Sequence, residues 1–158
     1  MYPERAVRLA MVEDKLVALN DADGLVHWRG YENSMPAFDE RKETSLYVVS
    51  FMRTEGKLTG RNLKTGRYNR HPGLQVRVRG LRSNFTQNKA EQLYDAISGI
   101  NRRTIIGTNY DFFIQAISMT SDIFPIPIPS QNDHRIYVFN CTSTLTVTPK
   151  IATASLTT

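Results

Sequence analysis

A chain of 158 residues and 18.0 kDa, 41% hydrophobic and 22% charged, has apolar material for one core and excludes both a fibrous repeat and wholesale disorder. Its apolar runs, such as Phe112-Phe113-Ile114, fall far short of the ~20 residues that cross a bilayer, and Met1 to Arg8 lacks the apolar centre of a secretion signal, so no membrane partner is expected. The net charge of +5 is unevenly placed: nine Lys or Arg between Arg53 and Arg82 face only Glu55, a local +8 that leaves −3 for the remainder.

Pro3 suits a first helical turn, and Leu9, Val12, Leu16 and Leu19 recur at helical spacing, which predicts a helix over 3–19 ended by Asn20 to Gly24. A short strand through Leu25 to Trp28 follows, and Gly30 to Thr44 reads as a surface connection. Ser45 to Met52 is apolar at both alternating sets, which predicts a strand covered on both faces. Residues 53–72, punctuated by Gly56, Gly60 and Gly66, read as a long basic loop or hairpin.

Gly73 to Gly80 alternates: Leu74, Val76 and Val78 define an inner face, Gln75, Arg77 and Arg79 a cationic outer one. Asn84 and Gln87 have capping-box spacing, and Ala90, Leu93, Tyr94 and Ile97 form the stripe of a second helix stopped by Gly99. Strands are expected at 103–106, 110–119 and 135–147, with Pro125, Pro127 and Pro129 keeping the stretch between the last two out of a sheet interior. This order predicts an α/β fold in the loose sense, strictly α+β. It is a mixed, mostly antiparallel sheet with helices mainly on one face, in a single domain over 1–146, with a Ser/Thr/Ala-rich arm at 147–158.

Little in the chain points to catalysis. His27, His71 and His134 lack metal-ligand spacing, and neither a phosphate loop nor a nucleophile elbow is present. The acidic pairs Glu13-Asp14 and Asp39-Glu40 and the run Asp21 to Asp23 read as solvated surface. Cys141, the sole cysteine, reads as a small buried hydrophobe in a strand. The expectation is a protein that is not an enzyme and uses no cofactor or metal. The basic segment, with Tyr68 and Phe85 nearby, leaves two readings open: a solvated or subunit-pairing surface, or sequence-independent contact with DNA.

The run His71-Pro72-Gly73-Leu74-Gln75-Val76-Arg77-Val78-Arg79-Gly80, followed by the helix containing Leu93-Tyr94-Asp95-Ala96-Ile97, resembles the central signature of bacteriophage tail terminator, or minor capsid, proteins. Ile126-Pro127-Ile128-Pro129 before Asp133-His134-Arg135 is also similar to that family's proline turn before a final strand. The resemblance implies a structural subunit of the virion, assembled in the host cytoplasm. It implies a homo-oligomer, a hexameric ring that ends the tail tube, binds tail tube protein and a neck or connector protein, and lets DNA pass through its channel. Arg61, Lys64, Arg67, Gln75, Arg77 and Arg79 are the residues expected at a subunit interface or the lumen. A head-completion or neck stopper subunit and a basic DNA-binding accessory protein are the competing readings.

Overall fold

The computed structural model describes residues 2–18, 28–39, 41, 46–61, 68–81, 83–127 and 135–150, with only the backbone described at 57–61 and 68–70. Its elements are α1 (Pro3–Glu13), β1 (Arg29–Glu32), β2 (Val48–Arg61), β3 (Tyr68–Gly80), α2 (Ser83–Ser98), β4 (Asn101–Ile106), β5 (Tyr110–Met119), β6 (Phe124–Ile126) and β7 (Arg135–Pro149). The strands join in one mixed sheet of order β1-β2-β3-β7-β5-β4, with β6 also on β7. The β1–β2 pair is parallel and every other pair is antiparallel. The class is α+β, as the element order implied.

Both helices pack on the sheet. Cross-strand partners share a face, so the register of Val49 with Val78 and of Val76 with Phe139 puts Phe51, Leu74, Tyr137 and Cys141 on that same helix-covered side. There they join Ala90, Leu93 and Ile97 of α2 and Ala6, Val7, Ala10 and Met11 of α1 in the main core. β7 lies between β3 and the β5/β6 column. Its first half pairs with β3 and β6, its second half with β5.

Several elements depart from their sequence reading. The first helix stops at Glu13, six residues early, in a Schellman arrangement: Leu16 N–H bonds Met11 C=O at 2.9 Å and Lys15 N–H bonds Val12 C=O at 3.0 Å. Lys15 takes φ 57 there, a place usually given to glycine, so its identity gave no signal. The buried face of α1 is Ala6, Val7, Ala10 and Met11, whereas Leu9, Val12 and Leu16 are only partly buried. Ala6 and Ala10 leave room there for the fully buried Val7 and Met11 side chains, while Leu9, Val12 and Leu16 lie at the edge of the contact.

Of the strand expected over 25–28, only Trp28 is among the described residues; it is buried, and the observed strand begins one residue later. β1 thus enters the stretch 30–44 read as a connection. Gly30 lies close under α1 there: a Cβ would stand 3.2 Å from the Val17 and 3.3 Å from the Arg8 side chain, so a larger residue would require those side chains to shift. β2 and β3 extend through most of the expected basic loop as two arms of a hairpin, leaving 62–67 outside the described residues. Pro125 is accommodated in β6, which pairs on one side with β7. β7 runs to Pro149, so 147–149 belong to the sheet and not to an arm; 151–158 lie outside the described residues.

Candidate assembly surface

The helix-free face of β3 carries the alternating polar set. Gln75 Nε2 donates to Asn140 Oδ1 at 3.0 Å, and Arg77 Nε donates to Gln75 Oε1 at 2.6 Å. The register opposes Gln75 to Asn140, so this hydrogen-bonded row passes from β7 to β3 and then along β3 to Arg77. Arg77 and Gln75 remain part-exposed at its top. Each side chain restrains the next, so the Arg77 guanidinium is held against Gln75.

Arg79 departs from the outward-facing expectation. It is 5% exposed, its Nη1 donates to Pro36 C=O at 2.6 Å, and its guanidinium lies 5.7 Å from the centre of the Phe38 ring. The cause is the segment after β1, which folds over this end of the face; Ser50 beside it is wholly buried and donates to Ser34 C=O at 2.5 Å. Burial pushes the Arg79 pKa down, with Tyr31 acting in the opposite direction. Arg79 therefore anchors its own chain. Of the three other expected residues, Arg61 lies on β2 with its side chain outside the described residues, and Lys64 and Arg67 lie outside them altogether.

The hairpin departs from the sheet at a tight crossing. The β2–β3 register shifts between Thr54 and Lys57, and a Cβ on Gly56 would strike the backbone of His71 and Pro72, as one on Gly73 would strike that of Glu55. β3 pairs with β7 only from Gly73 onward, so Tyr68 to Pro72 continue on β2 alone. His71 Nδ1 and Thr144 Oγ1, 2.9 Å apart, tie the arm to β7 at its root.

No protein-family model matches this sequence, and no curated protein does.

Charged residues that sequence left as surface hold both ends of α1 in place. Arg103 of β4 donates to Asp14 at 2.8 and 2.9 Å, to Glu13 at 3.0 Å and to the Ala10 carbonyl at 3.4 Å, closing the end of α1. Its pKa is raised, chiefly by the hydrogen bonds to Asp14. At the other end of the helix, Glu4 is buried and receives Arg53 and the Asn33 amide. Burial alone would raise the Glu4 pKa; the bonds from Arg53, the backbone and Asn33 outweigh it and the net shift is downward. Asn33, at φ 50, also accepts the Arg53 N–H at 2.8 Å and so extends the strand pairing past β1.

Cys141 is buried in the core and its thiol is pushed up to about 12 by burial, so it is protonated and unreactive at neutral pH. Trp28, Tyr47 and Phe85 form an aromatic cluster, with ring centres 5.1 to 5.7 Å apart, over Gly80 at the end of β3. Lys89 lies above the Trp28 ring. No group of three or more His, Cys, Asp or Glu that could hold a metal ion occurs among the described residues.

Proposed function

We propose that this chain is a structural subunit of a phage tail that assembles into a ring at the head-proximal end of the tail tube, as a tail terminator does. The observation that carries this reading is the two-sidedness of β3. Its Leu74, Val76 and Val78 row is wholly buried toward α2, while its other row presents Gln75 and Arg77 as an ordered polar strip. A strip of that kind suits a contact with a neighbouring subunit, where directional polar groups set orientation and register.

The order of elements supports the same reading. An N-terminal helix, a buried strand, the signature strand, its helix and late strands, with the proline-bearing stretch of sequence before the last of those described, follow one another as in the family the sequence resembles. The ring works by geometry: its lumen passes DNA, one face takes the last disc of tube protein and the other a neck protein.

The test is electron microscopy of tail tubes polymerised with and without this chain. Capped tubes of bounded length, with a ring of density at one end, are the expected result. Tubes that elongate without limit in its presence would defeat the terminator role. Binding to duplex DNA that falls steeply with salt, without any effect on tubes, would favour the DNA-binding accessory instead.

A further inference from the structure

A groove of about 620 Å³ lies between α2 and the turn joining β5 to β6. Glu91 and Asp95 stand one helical turn apart on its α2 wall, Asp122 stands on the other, and Tyr94, Ile123 and Tyr137 give it an aromatic and apolar floor. The three acids are exposed; Glu91 accepts a 3.5 Å bond from Gln87, and Asp122 accepts the Ile123 N–H at 2.8 Å. Carboxylates alone would be an ordinary solvated helix face. Here they rim a concave surface with apolar area to bury, on a body whose charge outside 53–82 is negative.

The complementary surface is the chain's own hairpin. Its Lys57 to Arg70 stretch carries five Lys or Arg and no acid. It cannot serve the same molecule. Tyr137 in the groove pairs with Val78, ten residues along β3 from Tyr68. At a strand rise of roughly 3.3 Å per residue that is about 30 Å, and even Lys57, opposite His71, lies seven residues or roughly 23 Å along the ribbon, farther than a lysine side chain reaches.

We propose that the groove receives the β2–β3 hairpin of a second copy of this chain, cationic side chains meeting Glu91, Asp95 and Asp122 above the aromatic floor. This rests on the ring reading given under Proposed function and adds to the β3 strip a second contact between subunits. Two unlike patches joined head to tail are what a closed ring requires.

The experiment is size-exclusion chromatography with light scattering on the full chain, alone and as two variants, Asp95→Lys/Asp122→Lys and Arg61→Glu/Lys64→Glu/Arg67→Glu. Each variant alone should keep the parent melting temperature and lose the oligomer. An equimolar mixture should restore it, because subunits alternating round a ring put every reversed hairpin in a reversed groove and every unreversed hairpin in an unreversed one. Asp95→Asn/Asp122→Asn, which introduces no cation, should weaken assembly without disturbing the fold, and added salt should weaken the parent oligomer. An oligomer that survives both reversals, or variants that fail to complement, would overturn this contact and leave the ring standing. A parent chain that stays monomeric at every concentration would overturn the ring and this contact together.

Discussion

The carboxylate of Glu4 and the guanidinium of Arg53 meet at 2.6 Å, joining the first turn of α1 to the middle of β2, with Glu4 3% and Arg53 44% exposed at the side chain. Removing the cation leaves a buried carboxylate with only Asn33 and the backbone. Arg53→Met should cost about 2 kcal/mol, less than the ~3–5 kcal/mol of a fully buried pair because water still reaches this one. The folded Glu4 carboxyl titrates below its unfolded value. Its contribution is therefore fully present above the unfolded pKa and is lost as pH falls through the folded one. Urea unfolding at neutral and acid pH should show this acid loss in the parent and a reduced loss in Glu4→Gln.

Arg77 and Arg79 should separate cleanly under the same substitution. Arg79→Glu sets a carboxylate against the Pro36 carbonyl in a nearly closed site and should destabilise the monomer by ~3 kcal/mol or more. Arg77→Glu, on the part-exposed strip, should leave the melting temperature within a few degrees of the parent and act on assembly. Thermal melts beside light scattering check both. Equal destabilisation by the two would contradict the difference in burial.

Lys89 is partly buried, its Nζ donating to Gln92 at 3.2 Å, and burial lowers its pKa from 10.5 to about 8. Between those values the unfolded chain holds the proton that the folded chain has released, so this residue makes stability rise with pH across that window. Lys89→Met should melt higher than the parent at neutral pH and lack this alkaline gain. A melting temperature equal to or below the parent's would contradict it.

The Cys141 thiol, raised to about 12 and shielded between β3 and β5, should resist alkylation in the native protein at mildly alkaline pH and react at once in denaturant. Mass spectrometry after iodoacetamide treatment reads this directly. Cys141→Ser, which buries a hydroxyl among apolar neighbours, should cost ~1–3 kcal/mol.

The elements most legible in sequence are those whose pattern is set by burial on one side. Leu74, Val76 and Val78 alternate, and Leu93 and Ile97 share a helical stripe, because each row meets one apolar layer. Where a strand was covered on both faces, as at Val48 to Phe51, the missing alternation carried the same information. The sequence misled where a boundary depended on backbone geometry. Lys15 at positive φ ends α1, whereas the residue type suited to that conformation, Gly24, comes nine positions later. Asn84, spaced for a cap, is already the second residue of the helix that starts at Ser83.

The candidate surface was half legible, for a similar reason. Alternation fixed which side of β3 Gln75, Arg77 and Arg79 occupy. It could not show that residues 34–38, lacking any period, lie across one end of that side and enclose Arg79 while leaving Arg77 part-exposed. Asn140 was missed because a polar residue in a strand is ordinarily solvent-facing, and its partner Gln75 is 65 residues away in sequence. Glu4 and Asn33 were missed likewise: pairs formed over such separations leave no local trace.

The place of β7 between β3 and β5 bears on how the molecule is made. β2 and β3 are neighbours in the chain and can zip locally, whereas Gly73 meets Thr142 and Gly80 meets Arg135 only across long closed loops. Until residues 135–149 have left the ribosome, β3 and β5 each offer a bare backbone edge toward the gap that β7 will fill. A nascent or truncated chain is thus a ready template for strands of other molecules, and β7 acts as a keystone whose arrival ends that exposure.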